Sequence, residues 1–263
     1  MPIVYAILAL GALGVVFGVV LSFADKMFAV PVDEKVALIR EAVAGANCGA
    51  CGFPGCDGFA EAVARGDAPV DGCTPGGAKT LTALAEIMGV EAEAGDPKVA
   101  RVLCQGATGI AKERVTYDGF ESCALANQLA GGPKMCQYAC MGLGDCFDVC
   151  KFDAIRMVDT LAVIDEEKCT ACGMCVKACP RGIIEMLPRK ATVTVRCQNQ
   201  ASAKEARESC SKGCIACKRC EKACEFDAIH VNNGFAKIDP EKCTLCEACV
   251  AVCPCDCITV VAS

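Results

Sequence analysis

The chain opens on an unbroken apolar run. Ile3 to Ala24 (IVYAILALGALGVVFGVVLSFA) holds 22 residues without a charge and stops at Asp25-Lys26. As a helix it is long enough to cross the hydrocarbon core of a bilayer. No Lys or Arg precedes it, and it exceeds the apolar core of a secretory leader. An uncleaved anchor is therefore expected, although Ser22-Phe23-Ala24 has the small-residue character of a cleavage site. Gly14 and Gly18, with Gly11 one turn earlier, form a G-x-x-x-G face that admits close approach by another membrane helix; glycine is also common in such helices without that role. The apolar spacing then turns helical and amphipathic. Val36, Ile39 and Val43 predict a helix over Val32 to Ala44, a second is expected over Asp57 to Arg65 capped by Asp57, and a third over Thr80 to Met88. Glu91 to Pro97 reads as a linker. Beyond it the apolar runs shorten to strand length, and AIRMV and LAVI predict a β-hairpin.

From Lys98 the pattern repeats. VLCQG at 102–106 corresponds to VRCQN at 195–199, Cys150-Lys-Phe-Asp-Ala-Ile155 to Cys224-Glu-Phe-Asp-Ala-Ile229, and Asp165-Glu-Glu-Lys168 to Asp239-Pro-Glu-Lys242. Agreement at several fixed offsets marks an internal duplication.

Composition changes the picture through one residue. The chain of 263 residues contains 26 cysteines. That density would ordinarily suggest a secreted disulfide scaffold, but cysteines two residues apart suit metals better than disulfides. Free thiolates need a reducing compartment, so the part after the anchor is expected in the cytoplasm. Cys169, Cys172, Cys175 and Cys179-Pro180 follow the C-x2-C-x2-C-x3-C-P spacing of bacterial two-cluster ferredoxins, as do Cys243, Cys246, Cys249 and Cys253-Pro254. In that motif three thiolates of one loop serve one cluster and the fourth serves its neighbour. Crossing predicts four sets: Cys136, Cys140, Cys146 with Cys179; Cys169, Cys172, Cys175 with Cys150; Cys214, Cys217, Cys220 with Cys253; and Cys243, Cys246, Cys249 with Cys224. The Cys136 motif is irregular, and Lys151 and Glu225 replace the usual proline, so ligand choice and cluster type stay open at Cys136–Cys146. A fifth set, Cys48, Cys51, Cys56 and Cys73, has C-x2-C-x4-C-x16-C spacing with glycines between ligands, and structural zinc is its alternative. Five [4Fe-4S] clusters are expected.

Cys104, Cys123, Cys197, Cys210, Cys255 and Cys257 remain. The repeat suggests pairing Cys104 with Cys197 and Cys123 with Cys210, with buried small hydrophobes as the plain reading. A Rieske site needs two histidines and His230 is the only one, which points to a surface residue on a strand. The chain has no G-x-G-x-x-G followed by an acidic residue and no P-loop, and no catalytic residues stand out. Net charge is −6 before any cluster is added, which makes nucleic acid a poor partner. Against that background Arg196, Lys204, Arg207, Lys212, Lys218, Arg219 and Lys222 outnumber Glu205, Glu208 and Glu221, a patch suited to an acidic redox protein or simply to a solvated face.

The expected architecture is α+β: one N-terminal transmembrane helix (1–25), a small helical 4Fe-4S module (26–95) and two tandem two-cluster ferredoxin-like units (96–191 and 192–263). In that order the parts resemble the B-subunit family of Rnf complexes, in the long form of anaerobes, over essentially the whole chain. The resemblance implies a single-pass component of the cell membrane, with its soluble domains on the cytoplasmic side, in an ion-translocating ferredoxin:NAD oxidoreductase. It would take electrons from reduced ferredoxin and pass them to integral membrane subunits, with flavin and NAD held by other subunits. A membrane-anchored polyferredoxin serving a hydrogenase or disulfide reductase is the alternative.

Overall fold

The computed structural model describes residues 2–28, 33–93, 95–129 and 131–261. The apolar run forms α1 (Pro2–Phe28), a helix of 27 residues whose large side chains, Leu10, Phe17 and Leu21 among them, are exposed. At 1.5 Å per residue it is about 40 Å long. Among the described residues no helix meets the length and apolarity of a membrane span, and the side chains at 1–4, 6, 9, 26 and 28 lie outside them. The spanning role expected for Ile3–Ala24 therefore rests on the sequence.

Three helices follow. In α2 (Glu34–Ala42) the Asp33 side chain caps the N-terminus by accepting from Lys35 N; the start expected at Val32 lies outside the described residues. Next come α3 (Cys56–Arg65) and α4 (Gly77–Met88). Ile39, Phe59, Val63 and Leu84, all nearly inaccessible, form the core between them, and Phe53 meets Phe59 edge-on with centroids 5.7 Å apart. The Thr80 hydroxyl donates to Ala42 O at 2.8 Å and ties α4 to α2. Asp57 does not cap its helix. α3 begins one residue earlier, at Cys56, whose N–H donates to the Asn47 side chain at 2.8 Å, and Asp57 instead pairs with Arg40 at 2.6 Å.

The repeat becomes two units of the same plan. The first contains β1 (Lys98–Val102), α5 (Cys123–Leu129), α6 (Asp145–Asp148), β2 (Ile155–Val158), β3 (Leu161–Ile164), α7 (Met174–Ala178) and β4 (Ile184–Pro188). The second contains β5 (Val193–Val195), α8 (Ala203–Ser209), α9 (Arg219–Ala223), β6 (Ile229–Asn232), β7 (Phe235–Ile238), α10 (Ala248–Ala251) and β8 (Ile258–Val260). Each has a central antiparallel hairpin, β2–β3 with Ile155 opposite Ile164 and β6–β7 with Ile229 opposite Ile238. A second ladder closes each unit by joining its ends, β1 with β4 and β5 with β8. The AIRMV and LAVI runs are the first of these hairpins; the end-to-end ladders leave no mark in the local apolar pattern. The apolar cores are small and rich in cysteine, as expected where ligated metal contributes much of the folding free energy.

A buried cation joins the parts of the first unit. Arg101, 4 % exposed, donates from Nε and Nη2 to the two carboxylate oxygens of Glu166 at 2.6 and 2.9 Å, and also to the Arg189 and Ala191 carbonyls. Removing one partner leaves the other charge desolvated and unpaired, at a cost of about 3 kcal/mol. Arg101→Met is expected to lower the denaturant midpoint of the loaded protein accordingly, measured under anaerobic conditions with the iron content held constant.

Candidate metal centres

The ligand loops share a backbone device. In Cys169–Cys175 the residues on either side of the middle cysteine, Ala171 and Gly173, have φ of 57° and 75°. Ala216 and Lys218 do the same around Cys217 (52° and 59°), and Leu245 and Glu247 around Cys246 (both 60°). For residues with a Cβ each such left-handed position costs about 1–2 kcal/mol and persists where the surroundings enforce it. Alternation of left- and right-handed residues turns successive N–H groups into one concavity, which suits an anionic iron–sulfur group.

The cysteines gather as the crossing pattern requires in three places. Cys214, Cys217, Cys220 and Cys253 line one small cavity, with Val231 and Ile258 in its wall and Cys255 and Cys257 also reaching it. Cys224, Cys243, Cys246 and Cys249 line another. Cys150, Cys169, Cys172 and Cys175 stand within electrostatic reach of one another. Cys51, Cys56 and Cys73 pack against the core of the three-helix module, Cys73 between two short turns at Val70–Gly72 and Thr74–Gly76; Cys48 is half-buried beside them in sequence. Among the described residues no three His, Cys, Asp or Glu side chains converge on a point fit for a single ion. The cavities instead place four or more thiols around an apolar space, and soft sulfur donors so arranged fit a cluster of several irons.

The irregular motif is arranged differently. A small cavity is lined by Cys140, Cys146 and Cys179, and its fourth cysteine is Cys123, not Cys136. The backbone explains this. Gly142 and Gly144 (φ 79° and 92°) flank Leu143 as Ala216 and Lys218 flank Cys217. Leu143 thus stands where the second unit has Cys217, and Cys123, at the start of α5, packs beside it. Its N–H donates to Asp145 Oδ1 at 2.7 Å, which fixes α5 over the cavity. Cys136 then corresponds to Cys210, each four residues ahead of its loop's first cysteine. The spacing 136, 140, 146, 150 against 210, 214, 220, 224 carried that signal, whereas pairing Cys123 with Cys210 obscured it. Arg181 lines the same cavity, and its buried Nε–H has no protein partner among the described residues, which suits an anionic occupant.

Burial dominates the thiol electrostatics. Desolvation pushes Cys146 and Cys175 up to about 12, with neighbouring thiols adding to it. Cys214 runs the other way: a hydrogen bond from Cys257 draws it down to about 6 against the cost of burial, while Cys257 is held protonated. Cys257, 2 % exposed, also lies 3.5 Å from Cys253 Sγ. It thus stands behind two prospective ligands, donating its thiol proton to Cys214 and in sulfur contact with Cys253, and such hydrogen bonds tune cluster potentials.

Only Cys217 and Cys246 are exposed among all the cysteines, and both belong to the second unit. Lys218 and Arg219 beside Cys217 are exposed as well. Arg196 leaves the expected basic patch, because it turns inward and donates to Val102 O at 3.3 Å and Cys104 O at 3.0 Å. His230 sits half-exposed on β6, 3.6 Å from both Glu221 and Asp227.

Residues 44–75 match a family of iron–sulfur cluster segments, residues 162–185 the 4Fe-4S binding domain, and residues 213–257 the 4Fe-4S dicluster domain. The chain is 48 % identical, over 95 % of its length and 75 % of the relative's, to the B-subunit of the Na+-translocating ferredoxin:NAD+ oxidoreductase complex of Acetobacterium woodii. It is 38 % identical to the B-subunit of the ion-translocating oxidoreductase complex of Methanosarcina acetivorans, over 96 % of each chain. With the B-subunit of the proton-translocating ferredoxin:NAD+ oxidoreductase complex of Clostridium ljungdahlii it shares 37 % identity, over 99 % of this chain and 93 % of that one.

Proposed function

This chain belongs to the B-subunit family of ion-translocating oxidoreductase (Rnf) complexes, and from that premise we propose that it receives electrons from reduced ferredoxin and relays them through [4Fe-4S] clusters to membrane subunits. Bound clusters supply one-electron redox chemistry. The chain's own residues hold them, set their surroundings and bring the donor protein to one end. The ligand sets are Cys48, Cys51, Cys56 and Cys73; Cys150, Cys169, Cys172 and Cys175; Cys123, Cys140, Cys146 and Cys179; Cys214, Cys217, Cys220 and Cys253; and Cys224, Cys243, Cys246 and Cys249. α1, with its exposed apolar surface, inserts as a single membrane span and leaves the rest on the cytoplasmic side. Flavin and NAD belong to other subunits.

The observation that carries this reading is a succession of neighbouring cysteine sets with accessible sulfur at one end. Cys217 and Cys246 open the second unit to solvent. In the first unit Cys146 lies within electrostatic reach of Cys175, and Cys172 within reach of Cys48 in the module that follows the anchor. Electrons are accordingly taken up at the second unit and leave by the Cys48–Cys73 module.

The full-length chain, purified without oxygen, is expected to be brown, to contain at least about 20 irons, four for each of these five sets, and to develop EPR signals of reduced clusters on addition of reduced ferredoxin. A colourless chain containing zinc and no acid-labile sulfide would refute the reading.

A further inference from the structure

Reassigning Cys136 leaves four cysteines that the duplication relates in pairs: Cys104 with Cys197 and Cys136 with Cys210. They converge at the seam between the two units. Cys104 Sγ accepts the N–H of Cys140 at 3.4 Å and of Gly106 at 3.2 Å, and Cys197 Sγ accepts the N–H of Cys214 at 3.2 Å. Cys140 and Cys214 are the equivalent first cysteines of the two loops, so the same contact occurs on both sides of the seam. Lys112 bridges the other two. Its carbonyl accepts from Met135 N at 2.9 Å, next to Cys136, and its N–H donates to Ser209 O at 2.8 Å, next to Cys210. Cys210 itself pairs with Ala111 in an antiparallel bridge. Across the seam the Cys136 thiol stands within electrostatic reach of Cys104 and Cys210, Cys197 within reach of Cys136, and Cys210 within reach of Cys104.

The surroundings suit an anionic group. Lys134 is 3 % exposed and its ammonium, hydrogen-bonded to Gly106 O at 2.6 Å and Thr160 O at 2.8 Å, lies at this cluster of thiols. Burial disfavours its charged form, and the Cys140, Cys104 and Cys210 thiols, together with Glu113 on the paired backbone, supply the opposing negative charge. Arg196 brings a second cation to the Cys104 carbonyl. Space is tight at the backbone: a Cβ on Gly106 would stand 3.3 Å from Cys104 Sγ and 3.0 Å from Ala111 Cβ.

We propose that Cys104, Cys136, Cys197 and Cys210, two from each unit, ligate a sixth [4Fe-4S] cluster astride the seam. This rests on the electron-relay reading and deepens it. The five other sets leave a gap between the Cys123–Cys179 site of the first unit and the Cys214–Cys253 site of the second. Cys104 is hydrogen-bonded to a residue of the former and Cys197 to one of the latter, so the seam cluster lies between them and makes the series continuous. It also fastens the two units together through metal–sulfur bonds.

The test is the iron count of the full-length, anaerobically purified chain by native mass spectrometry. Six cubanes give about 24 irons and five give about 20. Cys104→Ser and Cys210→Ser are each expected to lose about four irons, and the double variant no more than either alone, because both residues serve one cluster. A count of 20 in the unaltered chain, or Cys210→Ser with its full iron content, overturns the proposal. Should a variant fail to fold, the count of the unaltered chain still decides. A chain devoid of iron would instead sink the relay reading itself.

Discussion

Cys51→Ser is expected to abolish ferredoxin-driven NAD reduction by the assembled complex while the ferredoxin-like units remain reducible. The module that holds Cys51 follows α1 directly, and Cys48 is the thiol of that module within reach of Cys172 in the first unit. If electrons leave by this module, loss of one of its four thiolates cuts the path after the other clusters have filled. The variant should lose about four irons if the cluster cannot form, and stopped-flow bleaching of the remaining clusters by reduced ferredoxin should keep its rate. Continued turnover of the complex would contradict the proposed direction. The module's helical core lies in Ile39, Phe59 and Leu84 rather than in the cluster alone, so the substitution is separable from collapse of the chain, and retention of partner subunits on purification provides the check.

Charge reversal at the other end should act on uptake. Lys218→Glu with Arg219→Glu is expected to slow reduction by ferredoxin roughly tenfold at low ionic strength, the scale of electrostatic steering, and to flatten its salt dependence. Both residues are exposed beside Cys217, one of the two accessible cysteines. Lys218 lies 3.9 Å from Glu221 at the surface, a pair worth little, so stability should be unchanged. An unaltered second-order rate would rule out docking at this face.

Much of the molecule was legible because metal ligands leave their spacing in the sequence. Both regular motifs, the duplication, the hairpins and the module's helices could be read from residue types and intervals. The exceptions have physical causes. Cys123 lies far in sequence from the loop whose cavity it lines, and Leu143 stands where the second unit has Cys217; only the glycines at 142 and 144 betray the shared turn. Asp57 looked like a cap because Asp favours that position, but Arg40 on the neighbouring helix offered it a charge partner. The end-to-end ladders pair strands about 60 to 90 residues apart, such as Val193 with Val260 and Val99 with Leu187, and local patterns carry no register for such pairs. Arg101, Lys134 and Arg196 read as surface charges by type, yet each turns inward to bond carbonyl oxygens.

The left-handed residues on either side of the middle cysteines also limit which sequences can occupy these loops. Valine or isoleucine at 171, 216 or 245 would clash with its own peptide at positive φ, alanine and leucine incur the smaller penalty of an unbranched Cβ, and glycine incurs none. Drift in these loops is thus steered by backbone sterics as well as by sulfur chemistry, and a variant library at Ala171 should recover glycine and asparagine far more often than branched side chains.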